Sequence, residues 1–84
     1  MPLFMDVHEQ LPEGAKFEDA AQLHEADLRS QAAHGADYKR FWIDEAEGKV
    51  FCLIEAPSAE AAIAVHRDAH GVLADRIFEV REGE

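Results

Sequence analysis

Two histidines, His66 and His70, stand four residues apart near the end of an alanine-rich segment. In a helix this spacing places both imidazoles on one face in neighbouring turns, where they can bind one divalent ion together. The pair also has a structural interpretation, because His70 beside Gly71 would interact with the helix dipole and His66 would continue an apolar stripe. Spacing alone therefore leaves both roles open.

A carboxylate and a third histidine, Asp6 and His8, alternate with apolar residues near the start of the chain, and Glu79 lies in a similar segment near its end. Imidazole and carboxylate ligands without thiolate suit nickel, zinc, cobalt or copper, and spacing does not choose among these ions. The remaining histidines favour structural roles, His24 in the core and His34 beside a helix C-terminus.

Six segments have the hydrophobic periodicity of regular structure. Alternation predicts four strands, and helical spacing predicts two helices, the second beginning after Ser58 and ending at Gly71. The segments are a strand over 3–8, a helix over 17–34, strands over 38–45 and 49–55, a helix over 59–70 and a strand over 76–81. This order predicts one α+β domain over residues 1–84, a ferredoxin-like βαββαβ sandwich with a four-stranded antiparallel sheet in the order 4-1-3-2.

The predicted topology brings the candidate ligands to one edge of the sandwich. The first strand and the second helix end at this edge, so His8 approaches His66 and His70, with Asp6 and Glu79 on adjacent strands. We therefore predict a divalent-metal site formed by Asp6, His8, His66, His70 and Glu79.

Alternation also predicts an open sheet face that no helix covers. The residues assigned to the helix side are Met5, Val7, Phe41, Ile43, Val50, Cys52, Ile54, Phe78 and Val80. The open face would then carry Phe4, Asp6, His8, Tyr38, Arg40, Trp42, Phe51, Leu53, Glu55, Ile77 and Glu79. Because an apolar patch of this size usually marks an interface, we expect a homodimer packed sheet to sheet, in which Arg40 or a metal ion meets the buried acids.

Composition narrows the possible partners. Eight Lys and Arg residues against 18 Asp and Glu residues give a formal charge of -10, which disfavours nucleic acid and anionic membrane surfaces. The chain shows no membrane span and no export signal, and its single cysteine, Cys52, fits a reducing compartment. We expect a cytoplasmic protein.

Several blocks together resemble the small actinobacterial nickel-binding proteins, a family of ferredoxin-like domains. The matching blocks cover nearly the whole chain and are 5–8, 24–28, 38–42, 48–53, 55–61 and 66–71. The resemblance implies a homodimer that binds nickel ions at the subunit interface with side chains from both subunits. The blocks around Asp6 and His8 and from His66 to His70 are those that match in the predicted site.

Three functions follow from these observations. The first is a non-catalytic protein that binds a divalent transition metal, nickel above all, at a homodimer interface for storage, buffering or sensing. The second is a small dimeric enzyme, such as an oxygenase or isomerase, with an organic substrate between the sheets, Tyr38, Trp42 and Phe51 lining the pocket and His8 or Glu55 as general base. The third is a structural or regulatory dimer. Histidine ligation predicts that metal affinity falls below about pH 6.5.

Overall fold

The computed structural model describes residues 1–83 and has the predicted order of elements. These are β1 (Leu3–His8), α1 (Phe17–Ser30), a 3-10 turn (Gln31–His34), β2 (Asp37–Asp44), β3 (Lys49–Glu55), α2 (Ala59–Ala69) and β4 (Arg76–Val80). The sheet has the order β2-β3-β1-β4, and all neighbouring strands are antiparallel. This order is the predicted 4-1-3-2 in reverse, so the ferredoxin-like fold is confirmed.

The ends of the helices follow from local hydrogen bonding. Ser58 caps α2 by accepting a hydrogen bond from the backbone N–H of Ala61 at 3.1 Å. At the start of α1, where no usual capping residue precedes Phe17, the side chain of Asp19 accepts from the backbone N–H of Lys16 at 2.9 Å. Gly35 has a φ of 65°, a left-handed conformation that glycine adopts without strain and that turns the chain into β2.

The core lies between the two helices and one face of the sheet. It contains Phe4, Ala20, Ala36, Tyr38, Val50, Cys52, Ile54, Ala56, Ala62 and Val65. Four polar residues, Asp6, His8, Asp27 and His66, are buried with them. The strand and helix ends that carry these polar residues meet at one end of the core.

The predicted faces of β1 and β4 are wrong. Phe4, Asp6 and His8 are buried on the helix side, where Ile77 also packs, whereas Phe78 is 41% exposed. The alternation in β1 predicts that the apolar residues at odd positions face the core, but the residues at even positions do so. Because side chains alternate along a strand, an error of one residue assigns every side chain to the opposite face.

A β-bulge changes the face of one residue in β2. The register shifts between Tyr38, which pairs with Ile54, and Arg40, which pairs with Leu53. The extra residue places Tyr38 on the same side as Phe41, so Tyr38 is buried in the core instead of lying on the open face. The Tyr38 hydroxyl donates a hydrogen bond to the carbonyl of Ala62 in α2 at 2.7 Å.

The open face is therefore more apolar than the sequence predicted. The register of the strands places eight apolar residues on it, and the charged residues Arg40, Glu55 and Arg76; the apolar ones are Leu3, Met5, Val7, Trp42, Phe51, Leu53, Phe78 and Val80. Asp6 and His8 are separated from this face by the sheet itself. Within residues 1–83, no helix has both the length and the hydropathy that crossing a bilayer requires.

Candidate metal site

His66 is the centre of a buried cluster between α2, α1 and β1. Its side chain is 3% exposed, and each ring nitrogen contacts a carboxylate. Nδ1 lies 2.9 Å from Oδ1 of Asp27 in α1, and Nε2 lies 2.8 Å from Oδ2 of Asp6 in β1. One imidazole thus joins a helix to the sheet through two hydrogen bonds.

His8 and Asp6 extend the cluster along β1. Both side chains lie on one face of the sheet because they are two residues apart in a strand, and this face is the buried helix side. The Nε2 atoms of His8 and His66 are 3.3 Å apart, and Nε2 of His8 is 3.6 Å from Oδ1 of Asp6. Among residues 1–83, Oδ1 of Asp6 and Nδ1 of His8 are buried without a hydrogen-bond partner. Buried polar atoms of this kind are costly unless something else satisfies them.

His70 lies on the other side of Asp27. Its Nε2 is 3.0 Å from Oδ1 of Asp27, although the two groups are not oriented as a hydrogen bond. The rings of His66 and His70 are 5.0 Å apart, as expected for residues separated by one helical turn. Asp27 therefore lies between His66 in α2 and His70, which follows the last residue of α2.

The three histidines of the cluster differ in protonation state. Burial alone would lower the pKa of His66, but hydrogen bonds to Asp27 and Asp6 outweigh burial and raise the pKa to about 9. Burial lowers the pKa of His8 and of His70, and the nearby His66 contributes in the same direction. Near neutral pH the cluster thus holds one imidazolium and two neutral imidazoles.

Cys52 completes the surroundings of Asp6, its partner on β3. Burial, together with the nearby carboxylate of Asp6, raises the pKa of the Cys52 thiol far above its ordinary range. The thiol is protonated at physiological pH. It borders the cluster without supplying the thiolate that soft metal ions prefer.

The donor atoms have the separations that a metal ion requires. Two groups of side chains offer potential ligand atoms, and within each group these atoms lie within 4.8 Å of one another. The first group is Asp6, His8, Cys52 and His66, and the second is Asp27, His66 and His70. Ligands about 2.1 Å from an ion are about 3.0 Å apart at octahedral and about 3.4 Å apart at tetrahedral angles. Nε2 of His66 is 2.8 Å from Oδ2 of Asp6 and 3.3 Å from Nε2 of His8, and Nε2 of His8 is 3.6 Å from the other oxygen of Asp6, Oδ1, so these separations span the two values.

The structure brings together four of the five residues predicted for the site. Asp6, His8, His66 and His70 belong to the two groups. Glu79 does not, because it pairs with Phe4 at the far part of β1 and its side chain is exposed.

Asp27 is a member of the cluster that was not among the predicted site residues. Its position carries a signal, because Asp27 follows Ala20 and His24 at seven and three residues, on the stripe of α1 that faces the core. A carboxylate on such a stripe needs a partner when buried. Cys52, expected on the helix side of the sheet, also borders the cluster.

The remaining histidines have separate environments. Nε2 of His34 is 2.6 Å from Oδ2 of the exposed Asp68, which links the 3-10 turn to α2. The ring of His24 packs against Phe41 with a centroid distance of 5.0 Å. Neither residue is part of the two ligand groups found among residues 1–83.

A cavity of about 440 Å³ lies beside the cluster, between α1, the sheet and the loop from Leu11 to Lys16. His8, Asp27, His66 and His70 line it at one end, and most of the remaining lining is apolar. The predicted organic pocket had been placed between two stacked sheets. Here the cavity lies within one chain, on the helix side of the sheet.

The fold and the cluster define a class of small ferredoxin-like domains with a buried histidine and carboxylate centre. A family model described as nickel responsive protein SCO4226-like matches residues 4–80, and the chain belongs to this family. The crystal structure of SCO4226 from Streptomyces coelicolor A3(2) is similar, with 39% sequence identity and a TM-score of 0.89. The similarity covers 98% of this chain and 99% of the Streptomyces chain. A search of curated proteins found no match.

Proposed function

We propose that this protein binds a divalent transition-metal ion, nickel above all, at the buried cluster, with Asp6, His8 and His66 as ligands. The observation that supports this proposal most strongly is that the Nε2 atoms of His8 and His66 lie 3.3 Å apart, each close to one oxygen of the Asp6 carboxylate. Asp27 would orient His66 by accepting from its Nδ1–H, as carboxylates commonly do for metal-binding histidines.

The chemistry of the donors supports nickel, while zinc, cobalt and copper fit the same atoms. Imidazole and carboxylate are suitable ligands for nickel, and the protonated Cys52 thiol does not favour softer ions. The family description refers to a response to nickel. His70 offers a second mode of binding, in which Asp27, His66 and His70 are the ligands.

Charge balance also supports the proposal. The cluster contains two carboxylates, Asp6 and Asp27, on either side of His66. Without metal, an imidazolium compensates one of the two carboxylates. Replacing its proton by a divalent ion compensates both, which matters in a buried site where an uncompensated charge is costly.

We further propose a homodimer packed through the open face. That face combines a 45% exposed Trp42 and a 41% exposed Phe78 with six further apolar residues. Exposed patches of this kind are typical of subunit interfaces. The geometry supports a metal site inside each protomer, on the opposite side of the sheet from this interface, in place of one between the subunits.

The function served by metal binding would be storage, buffering or sensing of nickel in the cytoplasm. The free thiol of Cys52, which borders the site, suits a reducing compartment. The family description refers to a response to nickel and not to a reaction, which favours binding over catalysis.

The test is titration of metal-free protein with nickel, zinc and cobalt by calorimetry. The variant His66→Gln removes the shared ligand, and His34→Gln is the matched control because His34 lies outside both ligand groups. We expect His66→Gln to lower nickel affinity at least about tenfold, since a lost ligand contributes more than about 1.4 kcal/mol. His34→Gln should retain the wild-type affinity.

Circular dichroism of both variants without metal would identify a loss of structure. Because His66 makes hydrogen bonds to both Asp27 and Asp6, the variant His8→Asn, which removes neither bond, provides an independent test at another ligand. Wild-type nickel affinity in both folded variants, His66→Gln and His8→Asn, would contradict the proposal.

A further inference from the structure

The cavity beside the cluster has the size of a small-molecule site. Its volume of about 440 Å³ falls within the range of roughly 300–1,000 Å³ that is typical of ligand pockets. His8 and His66, two of the proposed metal ligands, line it directly. A molecule in the cavity would therefore lie next to the metal ion.

The lining of the cavity favours a ligand with an apolar body. Leu11, Leu23, Phe41, Val50 and Val72 contribute to its walls from the loop, α1, β2, β3 and the segment after α2. An aromatic or aliphatic group would be removed from water against these side chains. The cluster supplies polar groups at one end, and further polar side chains of the lining are Glu13, Lys16, Asp19, Gln22 and His24.

The charges around the cavity disfavour an anion. Glu13, Asp19 and Asp27 line it against one lysine, Lys16, and the imidazolium of His66, so acidic groups outnumber basic ones. The chain as a whole has a formal charge of -10. A negatively charged molecule would be repelled both on approach and inside the cavity, whereas a neutral molecule would not.

The metal site selects the polar end of the molecule. Three ligands from Asp6, His8 and His66 leave further coordination positions on a nickel ion, as sites with exchangeable ligands do. Because Asp6 and Asp27 already balance a divalent ion, a neutral donor keeps the site neutral. A heterocyclic nitrogen is a neutral donor of the type that nickel prefers.

We propose that the cavity binds an uncharged nitrogen heterocycle with an apolar body, whose nitrogen coordinates the metal ion held by His8 and His66. This inference rests on the proposed function. It assigns to the protein an organic ligand in addition to the ion, so the ion would be bound as part of a ternary complex.

The test compares two probes, imidazole and 4-phenylimidazole, on nickel-loaded protein at about pH 8, where imidazoles are uncharged. Binding is followed by the visible absorption of nickel, and the nickel content is measured afterwards so that extraction of the ion is not scored as binding. We expect 4-phenylimidazole to bind at least about tenfold more tightly than imidazole, because its phenyl ring is buried in the cavity.

Two neighbouring residues provide matched variants. Val72 lines the cavity and Leu73 does not, and both are partly exposed at 39% and 49%, so either position tolerates a larger side chain. We expect Val72→Trp to weaken 4-phenylimidazole binding at least about fivefold and to leave the affinities for nickel and imidazole unchanged. Leu73→Trp should change none of these affinities.

Each other outcome has a defined meaning. Equal affinities for the two probes, or equal effects of Val72→Trp and Leu73→Trp, would overturn the inference while nickel binding stands. Equally tight binding of 4-phenylimidazole to the metal-free protein would overturn it too, since the nitrogen would then not contact the ion. Failure of the initial nickel titration would instead refute the proposed function.

Discussion

Nickel binding at the cluster is expected to release one proton per ion at pH 7. Both nitrogens of His66 carry protons in the metal-free protein, because its pKa is raised to about 9 by Asp27 and Asp6. A group with this pKa is about 99% protonated at pH 7 and must lose a proton before it can coordinate a metal. His8 and His70, whose pKa values are lowered, are neutral at this pH and release none.

The same exchange sets the pH dependence of the affinity. Because His66 is half protonated at pH 9 and about 99% protonated at pH 7, the apparent nickel affinity should fall about 50-fold over this range, which corresponds to about 2.3 kcal/mol. The sequence alone predicted that affinity falls only below about pH 6.5. The contacts of His66 with two carboxylates move this dependence to higher pH.

The assay is calorimetry of nickel binding in several buffers with different enthalpies of ionisation. The slope of the observed enthalpy against the buffer enthalpy gives the number of protons released. Asp27→Asn should reduce this number at pH 7, because it removes a hydrogen bond that raises the pKa of His66. His34→Gln should leave it unchanged. A wild-type protein that binds nickel at pH 7 without releasing a proton would refute this account of His66.

Three further predictions concern stability and assembly. The raised pKa of His66 stabilises the metal-free fold by up to about 3 kcal/mol below about pH 6.5, and this stabilisation should be lost as pH rises through 9. Denaturant unfolding at pH 6.5 and above measures this loss. A free energy of unfolding that does not change over this range would contradict it. Tyr38→Phe removes the donor to the buried Ala62 carbonyl and should lower the free energy of unfolding by about 1–3 kcal/mol in the same assay, whereas no change would show that the bond is dispensable. Trp42→Lys places a charge on the open face and should dissociate the proposed dimer in analytical ultracentrifugation while nickel affinity per protomer persists. Loss of nickel binding on dissociation would contradict a site contained in one protomer.

The fold could be predicted from local patterns because each element has its own signal. Alternation defined β3 with its correct bounds, and Ser58 and Gly71 marked the two ends of α2. The chain order of these elements then left one common topology. No long-range contact had to be known for this step.

The faces of β1 and β4 could not be predicted by the same reasoning. Leu3, Met5 and Val7 are apolar and favour the core, yet the core receives Asp6 and His8. Their burial is stabilised by His66, which lies 58 to 60 positions further along the chain. Hydrophobic periodicity reflects only the residue types along one segment and not partners far along the chain, so it predicted the wrong face for these polar residues.

The site was partly predictable for a related reason. The spacing of His66 and His70 and the strand alternation of Asp6 and His8 identified four members of the cluster. Glu79 was included because its strand neighbours β1, but it pairs with Phe4 at the opposite end from His8. Neighbouring strands share an edge along their whole length, and only the register decides which residues meet.

The most direct test of the proposed metal site is a crystal structure of the nickel-loaded protein with diffraction data on both sides of the nickel absorption edge. We expect an anomalous peak about 2.1 Å from a ring nitrogen of His66, on the helix side of the sheet and within a single protomer. A nickel peak on the open face between two sheets, or one without contact to His66, would contradict it.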